Sequence, residues 1–68
     1  MRYGIYDQNE NIVAEFVSIN RALNILQAYA LYKEKLGIEA KISGDGYSVV
    51  CYKDKSVVGY YNIKEIKE

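Results

Sequence analysis

The segment YSVVCYKDKSVVGYYNI, Tyr47 to Ile63, reads as two strands around a short turn with Asp54 and Lys55 at its tip. Successive side chains of a strand point to opposite faces of the sheet. Val49, Cys51, Val57 and Tyr61 fall on one set of alternate positions, and Val50, Tyr52, Val58 and Tyr60 on the other. Both faces of this hairpin are therefore apolar. One helix covers one face, so something else has to cover the second. Periodicity alone does not say which set lies under the helix.

The helix is found upstream. Ser18 or Asn20 is a candidate N-cap, and the apolar pattern runs to about Leu36 before Gly37, a residue suited to a left-handed C′ position. Lys33 and Lys35 lie in the last turn, where cations suit the helix dipole. At about 100° per residue, Ala22, Ile25, Leu26, Tyr29, Tyr32 and Leu36 form a stripe about 120° wide, the expected core face. Ile19, Leu23 and Ala30 widen the apolar sector beyond what one sheet contact needs, and mark a spare edge for a neighbour.

Before the helix, RYGIYD and NIVAEFVS flank QNEN, whose residues favour turns, so a β-hairpin is predicted. After Gly37, Ile38, Ala40 and Ile42 alternate with Glu39 and Lys41, the pattern of a short strand with one polar face. SGDG is a turn by composition, and the charged tail KEIKE is expected to fray. The expected fold is α+β, a single helix packed on an antiparallel sheet in the order ββ-α-βββ, with residues 1–68 as one domain.

At this size a chain hides only about 60% of the surface its unfolded form exposes, and small scaffolds commonly add a disulfide, a metal or a partner chain. Cys51 is the only cysteine and there is no histidine, which removes an internal disulfide and the usual structural zinc site. Self-association remains.

No motif specifies chemistry. DQNENI places Asp7, Asn9 and Asn11 like the first ligands of a calcium loop, but Ile12 stands where the sharp-turn glycine belongs and Ser18 where the bidentate glutamate belongs. SGDGYS lacks the following helix and the lysine of a phosphate loop. Cys51 has no histidine to activate it and sits among valines, the setting of an inert buried thiol. Glu15, between Val13 and Val17, is read as a solvent-facing edge residue or as half of a salt bridge to a partner chain's arginine, Arg2 or Arg21. No catalytic, cofactor-binding or metal-binding residue is assigned, and an enzyme is not expected.

Eight tyrosines against one phenylalanine are the compositional anomaly. Strands favour tyrosine in any case, but tyrosine also concentrates at interfaces, where its ring is covered and its hydroxyl stays wet. Aromatic sheet faces stack single-stranded bases when cations surround them. Here Lys41, Lys53, Lys55 and Lys64 are interleaved with Glu39, Asp45 and Asp54, and the net charge is zero, which disfavours nucleic acid. The longest apolar-rich stretch, Ile19 to Tyr32, is too short and polar to cross a bilayer. A lone cysteine without a basic and apolar leader pattern fits a cytoplasmic setting.

In length, with one helix and flanking strands, the whole chain resembles the small uncharacterised proteins carried by prophages of Gram-positive bacteria. It is similar in element order to the Bacillus prophage family called YopT. That resemblance implies a homodimer of unknown function and no site residues. The expected function is thus a small homodimeric interaction module, with a host protein as a further partner and an interface of Val50, Tyr52, Val58, Tyr60, Ile19, Leu23 and Ala30. The alternative is a weak single-stranded nucleic-acid binder using the tyrosine-rich face.

Overall fold

Short polar turns set the strands. The computed structural model describes residues 1–67. Asp7 closes the first hairpin: its carboxylate accepts the N–H groups of Asn9 and Asn11, each at 2.9 Å, and Glu10 takes a positive φ of 64°. This joins β1 (Arg2–Tyr6) to β2 (Ile12–Phe16) in antiparallel register, Tyr3 opposite Phe16 and Ile5 opposite Ala14. Asp54 and Lys55 have φ of 51° and 68°, the paired positive values of a two-residue type I′ turn, and join β4 (Ser48–Lys53) to β5 (Ser56–Ile66).

Between these hairpins lie α1 (Ile19–Lys35) and β3 (Glu39–Ile42). Ser18 is the N-cap, its carbonyl taking the first helical bond from Ala22, while its hydroxyl takes no part. At the other end Gly37 has φ of 82°, and the N–H groups of Gly37 and Ile38 return to the carbonyls of Glu34 and Lys33, a Schellman closure.

The five strands form one antiparallel sheet in the order β2-β1-β5-β4-β3, with α1 on one face. The ββ-α-βββ order of the α+β fold is as the sequence pattern implies. β5 is central and the longest strand, with 11 residues, in a body 38 Å in its longest dimension. The charged tail does not fray at Lys64: the strand continues to Ile66, which lies opposite Arg2. Glu68, the last residue of that expected frayed segment, lies outside the described residues.

The core joins Ile5, Ile63 and Val49 of the sheet to Ala22, Leu26 and Ala30 of the helix. Cys51 is buried beside them. This corrects the expected helix face by roughly 60° of rotation, at about 100° per residue. Ala22 and Leu26 face the sheet as expected and Tyr29 is half-buried, but Ile25, Tyr32 and Leu36 are exposed. Ala30 is buried instead, and Ile19 and Leu23 pack against the core, so the spare edge assigned to these three is not free. The physical reason is size. Alanines at 22 and 30 let the helix approach the sheet, whereas a stripe centred on Ile25 and Tyr32 would hold it off. Periodicity reports the width of an apolar sector, not which part of it is pressed closest.

Val49, Cys51 and Tyr61 lie on the helix side as one of the two alternating sets, but Val57 does not follow them. The register slips between Cys51 and Tyr52, leaving Val58 without an opposite residue, and Val57 past that bulge is 61% exposed.

Leu26 is wholly inaccessible and Ile25 is 46% exposed. Leu26→Ala should therefore lower unfolding free energy by about 2–5 kcal/mol, and Ile25→Ala by about 0.5 kcal/mol or less. Urea denaturation of both variants checks the rotation, because the expected stripe would have made the two losses comparable.

Candidate interaction surface

Residues opposite one another in a sheet share a face, so the register maps the face that α1 leaves bare. Lys41, Val50 and Tyr60 make one row. Ser48, Asn62 and Tyr6 make the next, followed by Lys64, Gly4 and Glu15, then Ile66 and Arg2. Tyr52 sits beside the first row, with the Lys41 ammonium 5.7 Å from its ring centroid. Val50, Tyr52 and Tyr60 are thus brought together on the open face, with Val57 opposite Tyr52 and Val58 unpaired at the bulge beside them. Val58 is 49% and Tyr60 37% exposed, and no other element of this chain lies over them. Ile19, Leu23 and Ala30 are on the other side, under the helix.

The face is partly covered by its own side chains. A side chain at Gly4 would meet Tyr6 at 3.1 Å and Ile66 at 3.3 Å, so this glycine is what lets the two close over the middle of the sheet. The Lys64 ammonium lies 5.0 Å from the Tyr6 centroid and pairs with Glu10. That contact, foremost, holds the Lys64 ammonium above the ordinary lysine range. Arg2 pairs with Glu15 at 3.2 Å, and Lys41 with Glu39 at 3.5 Å. Glu15 is therefore bound within its own chain, not across to a partner. Each of these three cations of the face has a carboxylate beside it, so the face is aromatic and close to neutral. Tyr6, Ile66 and the pairs of Lys41 and Lys64 were not anticipated from sequence, and the Glu15–Arg2 pair was foreseen only between chains. The legible signal was Gly4 inside a strand, which marks close approach of neighbouring groups.

On the helix side, Gly59 leaves space for the Tyr61 ring, which lies 3.4 Å from where a Cβ would be. Tyr61 meets Tyr29 edge to face with centroids 4.9 Å apart, and the two hydroxyls hydrogen-bond at 3.3 Å. That bond, foremost, and then burial push the Tyr61 hydroxyl up to about 12. Burial likewise raises the Cys51 thiol, opposed by Lys33. The two loops singled out in the sequence are turns that bind themselves. Asp7 is spent on its own backbone as described, and Asp45 accepts the Ser43 hydroxyl at 2.6 Å and the Tyr47 N–H at 2.9 Å. The Ser43 contact, foremost, lowers the Asp45 carboxyl. Among the described residues no cluster of cysteine and carboxylate groups is placed to hold a metal. No helix among the described residues is long and apolar enough to cross a membrane.

No family model, curated protein or solved structure matches the chain.

Two measurements test the helix-side chemistry. Cys51 should resist alkylation in the native protein and react at the rate of global unfolding, since burial both hides the thiol and keeps it protonated. Rapid labelling without unfolding would place it at the surface. In an alkaline titration followed by phenolate absorbance, Tyr61 should ionise last of the tyrosines. Its folded value lies above the unfolded value of about 10, so this contribution to stability is full below pH ~10 and is lost as pH rises through about 12. Tyr61→Phe should remove the highest step.

Proposed function

We propose that the protein is a small non-catalytic interaction module, of the kind prophages carry, which joins a second copy of itself through the open sheet face and then engages a host protein in the cytoplasm. The observation that carries this reading is an apolar and aromatic face, Val50, Tyr52, Val58 and Tyr60, over which no helix or strand of the described residues lies. The accessible surface supports it. The chain exposes 4752 Å², against about 4,400 Å² for a compact monomer of this mass. Closed two-fold association is the commonest way to cover such a patch, because one face then meets itself. A face whose charges are already paired presents no net repulsion to its own copy.

The second reading, single-stranded nucleic acid, draws on Lys41 and Lys64 beside tyrosine rings. The same contacts argue against it. The lysines occupy ring faces that bases would need, and Glu39 and Glu10 already neutralise them.

Sedimentation at micromolar concentration is the test. The wild-type chain should run at twice its 7.8 kDa, and Val58→Asp should run as a monomer and melt at lower temperature, since folding and association are coupled in a domain this small. A wild-type monomer would remove the dimer from this reading. Oligonucleotide binding that falls steeply with salt would favour the second.

A further inference from the structure

The helix does not fill its own side of the sheet. Between α1 and the β2 edge runs a groove with two lobes. One, of about 290 Å³, is lined by Ile5, Val13, Ala14, Ile25 and Tyr29. The other, of about 320 Å³, is lined by Phe16, Arg21, Asn24 and Ile25. Ala14 and Phe16 are two residues apart on β2, so the lobes are spaced as alternate side chains of one strand, about 6.6 Å.

β2 is the outermost strand and its outer backbone edge has no strand partner. The opposite edge, β3, has only four residues and carries the Glu39–Lys41 ion pair, features that discourage pairing. β2 is guarded less fully: its bulge at Val13 interrupts the ladder, but Ala14–Phe16 stays regular. Its one acid, Glu15, is held by Arg2 on the other face of the sheet. The register slips between Ile5 and Tyr6, leaving Val13 without an opposite residue. A bulge of this kind re-aims a side chain, and Val13 here lines the groove. The regular run Ala14–Phe16 remains beside the two lobes. Arg21 stands at the Phe16 end, exposed, and makes no ion pair with any described residue.

We infer that this groove binds an extended peptide by strand addition, antiparallel to β2, with an acidic residue over Arg21 and apolar residues at the next two alternate positions filling the lobes. Main-chain bonds to the free edge supply affinity, and the lobes and the guanidinium select the sequence. The charge decides the occupant. A second copy laid edge to edge would bring Glu15 and Glu10, already engaged with Arg2 and Lys64, and would leave Arg21 unanswered. An acidic and apolar strand from another protein answers both the cation and the lobes.

The probe is an end-labelled synthetic peptide, Glu-Thr-Val-Thr-Val-Thr, titrated with the full chain and followed by fluorescence anisotropy. Saturable binding is expected, weakened at least tenfold by Arg21→Glu and by Ile25→Glu, two exposed positions whose variants can be checked for folding by circular dichroism. The same peptide with Lys for its Glu should bind Arg21→Glu better than it binds the wild type. Val58→Asp, on the opposite face and measured below its melting transition with folding checked by circular dichroism, should leave peptide affinity unchanged whether or not it splits a dimer, so failure of the open-face reading would not mimic failure of this one. Absence of saturable binding overturns the inference. So does equal affinity for wild type and a folded Arg21→Glu, or loss of a dimer on Arg21→Glu, which would assign the groove to a second copy.

Discussion

One helix is too narrow for this sheet. Five strands at about 4.8 Å span roughly 24 Å, while a helix with its side chains is about 10–12 Å across. The arrangement of the molecule follows from that mismatch. α1 is pressed onto the sheet through Ala22, Leu26 and Ala30, with the Tyr61 ring lying over Gly59 and reaching Tyr29 from below. That seating fixes which helix residues are left over. Ile25, Tyr32 and Leu36 end outside the core, and Ile25 becomes a wall of the groove beside β2. The far face of the sheet receives no helix at all.

The chain answers its own bare face with side chains in place of an element. Tyr6 and Ile66 close over Gly4, and the ammonium groups of Lys41 and Lys64 sit over tyrosine rings. The accompanying ion pairs are exposed, so each contributes little to stability, about 0–1 kcal/mol. Their consequence is for recognition. By neutralising Arg2, Lys41 and Lys64 in place, they turn a tyrosine-rich surface from one that would attract phosphate into one suited to another apolar protein face.

The fold was legible where local chemistry decides it. Asp7 and the Asp54–Lys55 pair announce their turns, Gly37 ends the helix, and alternation gives the strands. The site was half legible. Val50, Tyr52 and Tyr60 are recoverable from period two, because one set of a doubly apolar hairpin has to face away from the helix, whereas the bulge breaks the alternation at Val57 and Val58. The helix register was not, since Ala30 and Ile25 are both apolar and only packing distance separates them. Val57 was not either, because a bulge leaves no mark in a run such as SVVGYY. The groove needed the bulge at Val13, the rotation that exposes Ile25, and an arginine with no ion pair among the described residues, none of which is a property of a single segment.

The two inferred surfaces lie on opposite faces, and that placement has a consequence of its own. Association through the open face would cover Val58 and Tyr60 and leave the β2–α1 groove of each copy facing outward, related by the two-fold axis. A target with two acidic and apolar strands, or one that is itself dimeric, would then engage both grooves. The second contact is made at the effective concentration set by the spacing of the first, so avidity can exceed single-groove affinity by about 10²–10⁴. A groove formed by one edge strand and one face of a short helix has few contacts to offer, and pairing two of them would raise affinity without a larger core.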